Sequence, residues 1–146
     1  MWLHRLRGWL CGLWTGLVLC VAGVAAPSLF AVLERAQAGV AAARLFRIEA
    51  TLSLIVAVVL LIIERQVAHA RPEGVPATSR VSTELLLLLG VLFCTVAGYF
   101  ALQPLMEQAR AGQGSWSFAT LHGVSSVFFA AKGVLLLTLS WRCTAR

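Results

Sequence analysis

Four long apolar runs, separated by short polar stretches, set the pattern of this sequence. A helix that crosses the roughly 30 Å hydrocarbon core of a bilayer needs about 20 mostly apolar residues. The predicted spans run from about Gly8 to Leu33, Phe46 to Ile63, Leu85 to Gln103 and Trp116 to Trp141. Because lipid offers the backbone no hydrogen bonds and no alternating strand pattern occurs, helices are expected. The pattern predicts one domain, residues 1–146, folded as an all-α integral membrane four-helix bundle.

The polar stretches between the spans are predicted to connect them. They comprise Glu34–Arg44, Glu64–Glu84 and Pro104–Ser115. In the second stretch, Pro72, Gly74 and Pro76 favour a loop over a helix.

The first span also has features of a signal peptide: basic residues, then an apolar run, then small residues near Ala25 and Ala26. Its apolar run is longer than the usual 7–15 residues of such a peptide. We therefore expect this span to be retained in the mature protein.

The composition supports a membrane protein and excludes a soluble enzyme or a disordered tail. The chain is 60% hydrophobic and 12% charged, whereas soluble domains are about 25% charged. Its net charge of +6 comes from arginines that stand singly between apolar runs, not in the basic stripe that binds nucleic acid. A nucleic-acid partner is therefore not expected, and the lipid bilayer is the expected surrounding.

The distribution of arginines predicts the orientation, because basic residues favour the cytoplasmic side of a membrane. One side carries Arg5, Arg7, Arg65, Arg71, Arg80, Arg142 and Arg146. The other side carries Arg35 and Arg110, joined by Arg44 and Arg47 if these lie outside the second helix. This excess predicts a multi-pass protein of the bacterial inner membrane with both termini in the cytoplasm.

A partial repeat favours an internal duplication. Glu34, Ala36, Ala38 and Gly39 recur 73 residues later as Glu107, Ala109, Ala111 and Gly112. The repeat predicts two tandem helical hairpins related by a pseudo-twofold axis along the membrane normal. The alternative is a chance coincidence of small residues in an alanine-rich chain. The same offset pairs Glu49 with His122, which would face each other if the hairpins pack symmetrically.

Gly8, Gly12 and Gly16 recur every four residues in the first span. This small-xxx-small pattern lets two membrane helices approach closely. It predicts a helix-packing interface on one stripe of the first helix.

Four short motifs resemble those of a known family, and together they touch all four spans. They are Ala26-Pro27-Ser28-Leu29-Phe30, Arg44-Leu45-Phe46-Arg47-Ile48-Glu49, Leu102-Gln103-Pro104-Leu105-Met106, and Phe118-Ala119-Thr120-Leu121-His122-Gly123-Val124-Ser125-Ser126. The chain resembles small bacterial four-span proteins, a domain of unknown function related to eukaryotic transmembrane protein 205. One departure is that Phe128 and Phe129 stand where that family often carries an asparagine. The resemblance implies a membrane-embedded bundle and brings no established reaction, substrate or cofactor.

Lys132 is the most conspicuous ionisable residue because it falls near the middle of the fourth span. Helical geometry places it on one face with His122, Ser125 and Phe129. One interpretation is a polar cavity or proton path, in which Ser126 is a further candidate. The other is a tolerated lysine whose ammonium reaches toward the headgroups. We favour the second, because the sequence offers no carboxylate at that depth.

His122 and Glu49 are the remaining candidates for ligand binding. An imidazole can take up a proton or ligate a haem iron, or it can simply bond to Glu49 and join two helices. Two ligands are too few for a metal site, and the four cysteines show no metal-binding spacing. Neither a disulfide, a metal nor a catalytic residue is expected.

These observations favour a structural or accessory role over an enzyme. We expect the chain to bind other membrane protein subunits, or a second copy, through the stripe of Gly8, Gly12 and Gly16. The alternative is a carrier of haem b, a quinone or another small ligand that uses His122, Glu49 and Lys132 between its helices. No cofactor is required by the first interpretation.

Overall fold

A computed structural model describes residues 2–69 and 82–144, and the described residues are helical apart from short turns. The α-helices are α1 (Trp2–Cys20), α2 (Ala26–Val32), α3 (Arg35–His69), α4 (Thr83–Thr95), α5 (Leu102–Arg110) and α6 (Phe118–Thr144). Two π-helical segments, Val21–Ala25 and Val96–Ala101, join α1 to α2 and α4 to α5. The predicted loop at Pro72, Gly74 and Pro76 lies outside the described residues.

Four helical rods in the described residues are long and apolar enough to cross a membrane. They are Trp2–Val32, Arg35–Val67, Thr83–Arg110 and Phe118–Thr144, called spans one to four below. This confirms the predicted all-α bundle of four membrane-spanning helices. The chain is therefore a multi-pass membrane protein.

The spans pack as a closed ring. Helix α1 packs against α3 and α6, and α4 packs against the same two helices. Helices α3 and α6 therefore face each other across the bundle axis, as do α1 and α4. Large apolar side chains fill the centre, among them Trp14, Val18, Leu60, Leu88 and Leu136. This ring order is the one that a twofold relation between two hairpins requires.

The first rod of each hairpin contains a π-helical segment that begins with Val-Ala-Gly. Each segment lies shortly before a proline, Pro27 or Pro104. A proline has no N–H, so the carbonyl four residues earlier would lose its partner in a regular helix. The wider π turn pairs carbonyls with the N–H five residues on, as Ala26 N–H does with Val21 O. The two hairpins thus share one solution to the same backbone problem.

Each hairpin also has an ion pair between the start of its first rod and the end of its second; the first pair is buried, and in the second only Glu84 is. Arg7 Nη1 donates to Glu64 Oε1 at 2.7 Å in the first hairpin. Arg142 Nε donates to Glu84 Oε1 at 3.1 Å in the second. The two pairs join the same ends of their hairpins with the charges exchanged, but they are offset by 77 and 78 residues and not by the 73 of the sequence repeat.

The helices extend beyond each of the four predicted spans, and the largest extensions are in spans two and three. Helix α3 begins at Arg35, whereas the second span was expected from Phe46, and α5 continues to Arg110, past Gln103. The polar stretch Glu34–Arg44 does lie between the first two predicted spans, and from Arg35 it is helical, because its alanines favour a helix without being apolar enough to score as a span. At about 1.5 Å per residue, the rod Arg35–Val67 is about 50 Å long and exceeds the hydrocarbon core.

Candidate functional site

A buried ion pair lies inside the bundle between spans two and four. Lys132 Nζ donates to Glu49 Oε1 at 2.7 Å, and each residue is only 2% exposed. Lys132 lies near the middle of α6, and its long side chain crosses the bundle axis to reach α3. Two opposite charges at this depth compensate for each other where neither has water to solvate it.

Ser53 connects the ion pair to span one. Its hydroxyl donates to Glu49 Oε1 at 2.6 Å and accepts from Lys132 Nζ and Trp14 Nε1, both at 2.8 Å. A hydroxyl has one proton to donate and two lone pairs to accept with. Ser53 therefore uses its whole hydrogen-bonding capacity. We call these four residues, Trp14, Glu49, Ser53 and Lys132, the polar core.

Helix geometry explains how the polar core forms. Glu49 and Ser53 are four residues apart on α3 and so lie on the same helix face. Trp14 projects from α1, and Lys132 projects from α6 at the opposite corner from α3. The polar core thus joins three of the four spans through side chains alone.

Apolar and aromatic side chains surround the ammonium group. The Phe129 ring centroid lies 5.6 Å from Lys132 Nζ, and that ring meets Phe46 edge-on with centroids 5.3 Å apart. Thr95 is buried nearby on span three and donates its hydroxyl proton to its own helix, at Val91 O. In such a low-dielectric surrounding the attraction between the charges is strong, and so is the penalty for separating them.

Two expectations about these residues were wrong. Lys132 does have a carboxylate at its depth, namely Glu49, so the argument for a lysine that reaches the headgroups fails. Glu49 also does not face His122, because His122 is exposed and stacks on Phe118 with centroids 5.7 Å apart. The reason is the early start of α3, which puts Glu49 four turns inside the helix instead of one.

The two serines that follow His122 on α6 donate hydrogen bonds to backbone carbonyls, one on a neighbouring span and one on α6 itself. Ser125 Oγ donates to Gly98 O at 2.6 Å, across to the π segment of span three. Ser126 Oγ donates to His122 O at 2.8 Å within α6. Gly98 permits this approach, since a Cβ there would lie 2.4 Å from Phe128 Cβ. Neither serine belongs to the polar core.

The sequence analysis did not identify Trp14 or Ser53 as members of the polar core. The i, i+4 spacing of Glu49 and Ser53 was an available signal that a polar pair shares one face of α3. The contribution of Trp14 depends on how α1 is rotated against α3, which the sequence pattern of α1 does not specify.

In the glycine stripe Gly8, Gly12 and Gly16, the first glycine packs against α6 and the other two are exposed. A Cβ at Gly8 would lie 3.5 Å from Cys143 O, so α1 and α6 approach closely there. Gly12 and Gly16 are exposed, and nothing lies within 4 Å of a Cβ at Gly16. Beside the stripe runs a groove of 690 Å³ lined by His4, Arg5, Gly8, Trp9, Gly12, Leu13, Cys143 and Thr144.

The described residues contain no cluster of three or more histidine, cysteine or acidic side chains arranged to hold a metal ion. The chemistry available to the polar core is instead proton and charge balance between one ammonium and one carboxylate.

Comparison with known proteins gives one family match. A family described as a domain of unknown function, DUF4149, matches residues 9–115. The matched region includes Trp14, Glu49 and Ser53 and ends before Lys132. No curated protein matches the chain, and no solved structure matches it.

Proposed function

The chain belongs to the DUF4149 family of domains of unknown function, and we propose that it is a structural or accessory membrane protein. It binds a partner in a larger membrane complex through helix packing. The observation that carries this proposal is the saturation of Ser53, together with the direct pairing of Lys132 and Glu49. These groups hold the bundle together and are already engaged with one another, so they favour a structural core over a ligand site.

The partner surface in this proposal is the outer part of the glycine stripe. Gly12 and Gly16 offer no side chain, while Trp9 and Leu13 beside Gly12 are 71% and 66% exposed. Close approach over small residues with flanking large ones is typical of contacts between membrane helices. Such a face suits one transmembrane helix that carries large apolar side chains.

The positive charge at the end of the groove indicates whether the partner is a different protein or a second copy of this chain. His4 and Arg5 are exposed at the end of the groove, where the helix meets the headgroups. A parallel second copy would bring Arg5 against Arg5, and such like-charge contacts disfavour association. We therefore propose a different membrane protein, whose helix carries an acidic side chain at the level of Arg5.

The test is photocrosslinking from the full chain in native membranes. A photoreactive residue at Leu13 is expected to crosslink to a protein with such a helix, and Arg5→Glu or Gly12→Leu to abolish the product. A probe at Val127, which is 70% exposed on α6, is the matched control. Crosslinks to lipid alone, to a second copy, or equally from both probes would overturn the proposal.

The same proposal includes the location and the wider kinship. The asymmetric distribution of arginines supports a bacterial inner membrane protein with both termini in the cytoplasm. The motif His122-Gly123-Val124-Ser125-Ser126 supports a relation to eukaryotic transmembrane protein 205. That motif lies outside the matched residues 9–115.

No observation favours the alternative of a haem, quinone or small-ligand carrier. His122 is exposed beside Phe118, away from the paired Glu49 and Lys132. A Soret band in the purified protein, lost in His122→Ala, would establish the haem version and displace the structural one.

A further inference from the structure

Two cysteine sulfurs meet where span one packs on span four. Cys11 Sγ donates a hydrogen bond to Cys143 Sγ at 3.7 Å, and the two residues are 1% and 5% exposed. These cysteines are 132 positions apart in sequence, so the tertiary fold alone brings them together. The other cysteines differ in setting: Cys20 is exposed, and Cys94 lies on span three beside Lys132. We call Cys11 and Cys143 the thiol pair.

A buried cation accompanies the thiol pair. Arg7 is 3% exposed and stands four residues before Cys11 on α1, so the two buried residues share one face of that helix. Arg7 Nη1 is bound to Glu64, while its Nε has no hydrogen-bond partner. A nearby guanidinium stabilises a thiolate, which is the form of cysteine that attacks disulfides. The Nε–H of Arg7 is thus a buried donor without a partner on the helix that carries Cys11.

The groove beside α1, in protein to which no partner helix is bound, gives small molecules a route to one of these sulfurs. Cys143 lines it, with His4 and Arg5 at the rim. Gly8 and Gly12 also line the groove, and because they have no side chains they leave the groove open beside Cys143. The basic rim suits a small anionic reagent.

We propose that the thiol pair is a redox-active dithiol, which exchanges with an anionic low-molecular-weight disulfide that enters through the groove. Cys143 thiolate attacks one sulfur of that disulfide, forms a mixed disulfide and releases one small thiolate. Cys11 gives its proton to the released thiolate and attacks Cys143 Sγ, and the second small thiolate leaves and takes up the proton lost from Cys143. The products are one Cys11–Cys143 disulfide and two small thiols, so atoms and electrons balance without another oxidant.

The geometry requires only a small rearrangement. A disulfide bond is about 2.05 Å long, so the sulfurs must approach by about 1.7 Å. Rotation about the side-chain bonds of two cysteines on touching helices can supply such a shift. The bond would join the first span to the fourth and close the ring of helices covalently.

The test uses the full chain, reduced and purified in detergent, and oxidised glutathione as the probe. Free thiols are counted by maleimide labelling after denaturation, and peptide mass mapping identifies the bond. The expected result is a loss of two of the four free thiols, with a Cys11–Cys143 crosslink and no change in helical circular dichroism.

Single substitutions distinguish Cys143, which attacks the small disulfide, from Cys11, which then attacks the mixed disulfide. Cys11→Ser should retain glutathione as a stable mixed disulfide on Cys143, whereas Cys143→Ser should lose no buried thiol. The double variant Cys20→Ser with Cys94→Ser is the matched control and should form the bond as the parent does. Four unreacted thiols in the folded protein, or equal reaction of all cysteines, would overturn the proposal. The experiment needs no partner protein, so its outcome is independent of the proposed accessory role.

Discussion

Lys132 and Glu49 form an ion pair with Nζ and Oε1 2.7 Å apart, although their helices occupy opposite corners of the bundle. The pair therefore ties α6 to α3 across the axis, where the backbones themselves do not pack. Ser53 and Trp14 extend this tie to α1. The stability of the bundle should accordingly depend on the integrity of a few polar contacts.

Replacement of Lys132 by leucine should destabilise the protein. The substitution leaves Glu49 buried without its counter-charge, and loss of one partner of a buried pair lowers the free energy of unfolding by about 3–5 kcal/mol. The double variant Lys132→Met with Glu49→Met removes both charges and should lose less than either single variant. Unfolding in mixed detergent micelles compares Lys132→Leu, Lys132→Met, Glu49→Met and the double variant with the parent protein. A Lys132→Leu protein as stable as the parent would show that the ion pair contributes nothing.

Ser53→Ala should also destabilise the bundle, because it removes the group that links three spans. Trp14 Nε1 loses its acceptor, and one hydrogen bond to Glu49 disappears. An unsatisfied buried polar group costs about 1–3 kcal/mol. Thr51→Ala is the matched control on the same helix, since Thr51 is exposed and bonds to Arg47 O within α3. Equal effects of the two substitutions would argue against a special role for Ser53.

Gly98→Ala should disturb the contact between spans three and four. The added Cβ would lie 2.4 Å from Phe128 Cβ and 3.7 Å from its Cα, so the helices must separate. Overpacking of this kind typically costs about 1–3 kcal/mol. Gly123→Ala is the control, because nothing lies within 4 Å of a Cβ at that position. Thermal unfolding in detergent compares the two, and a stable Gly98→Ala protein would contradict the close packing.

Reporter fusions should establish the orientation that the arginines predict. Alkaline phosphatase, which is active outside the cytoplasm, should be active when fused after Gln113 in the turn between α5 and α6. It should be inactive after Arg146, where a fused fluorescent protein should instead be bright. The reverse pattern would place both termini outside the cytoplasm.

The bundle itself was predictable because the cost of burying polar groups in lipid limits what each apolar run can be. The boundaries were less predictable. Alanines in Arg35–Arg44 extend α3 without raising its hydropathy enough to mark a span. The position of Glu49 along the bundle depends on where α3 begins. Because that start was placed too late, Glu49 was not recognised as the partner of Lys132.

The direction of side chains was the second limit. Lys132 and His122 were expected on the same polar stripe, yet one is buried and the other exposed. Their separation depends on how α6 is rotated within the ring, which packing against α1 and α4 determines. Hydrophobic periodicity is weak in a helix that is apolar on most sides, so it could not supply that rotation.

The ion pair also constrains how the protein is made. Glu49 is synthesised 83 residues before Lys132, so its carboxyl group enters the bilayer when no ammonium is yet present. During biosynthesis the nascent hairpin must shield that carboxyl group from lipid until α6 arrives. Insertion of the fourth helix is therefore the step that supplies the counter-charge, and a chain truncated before Lys132 leaves Glu49 without it.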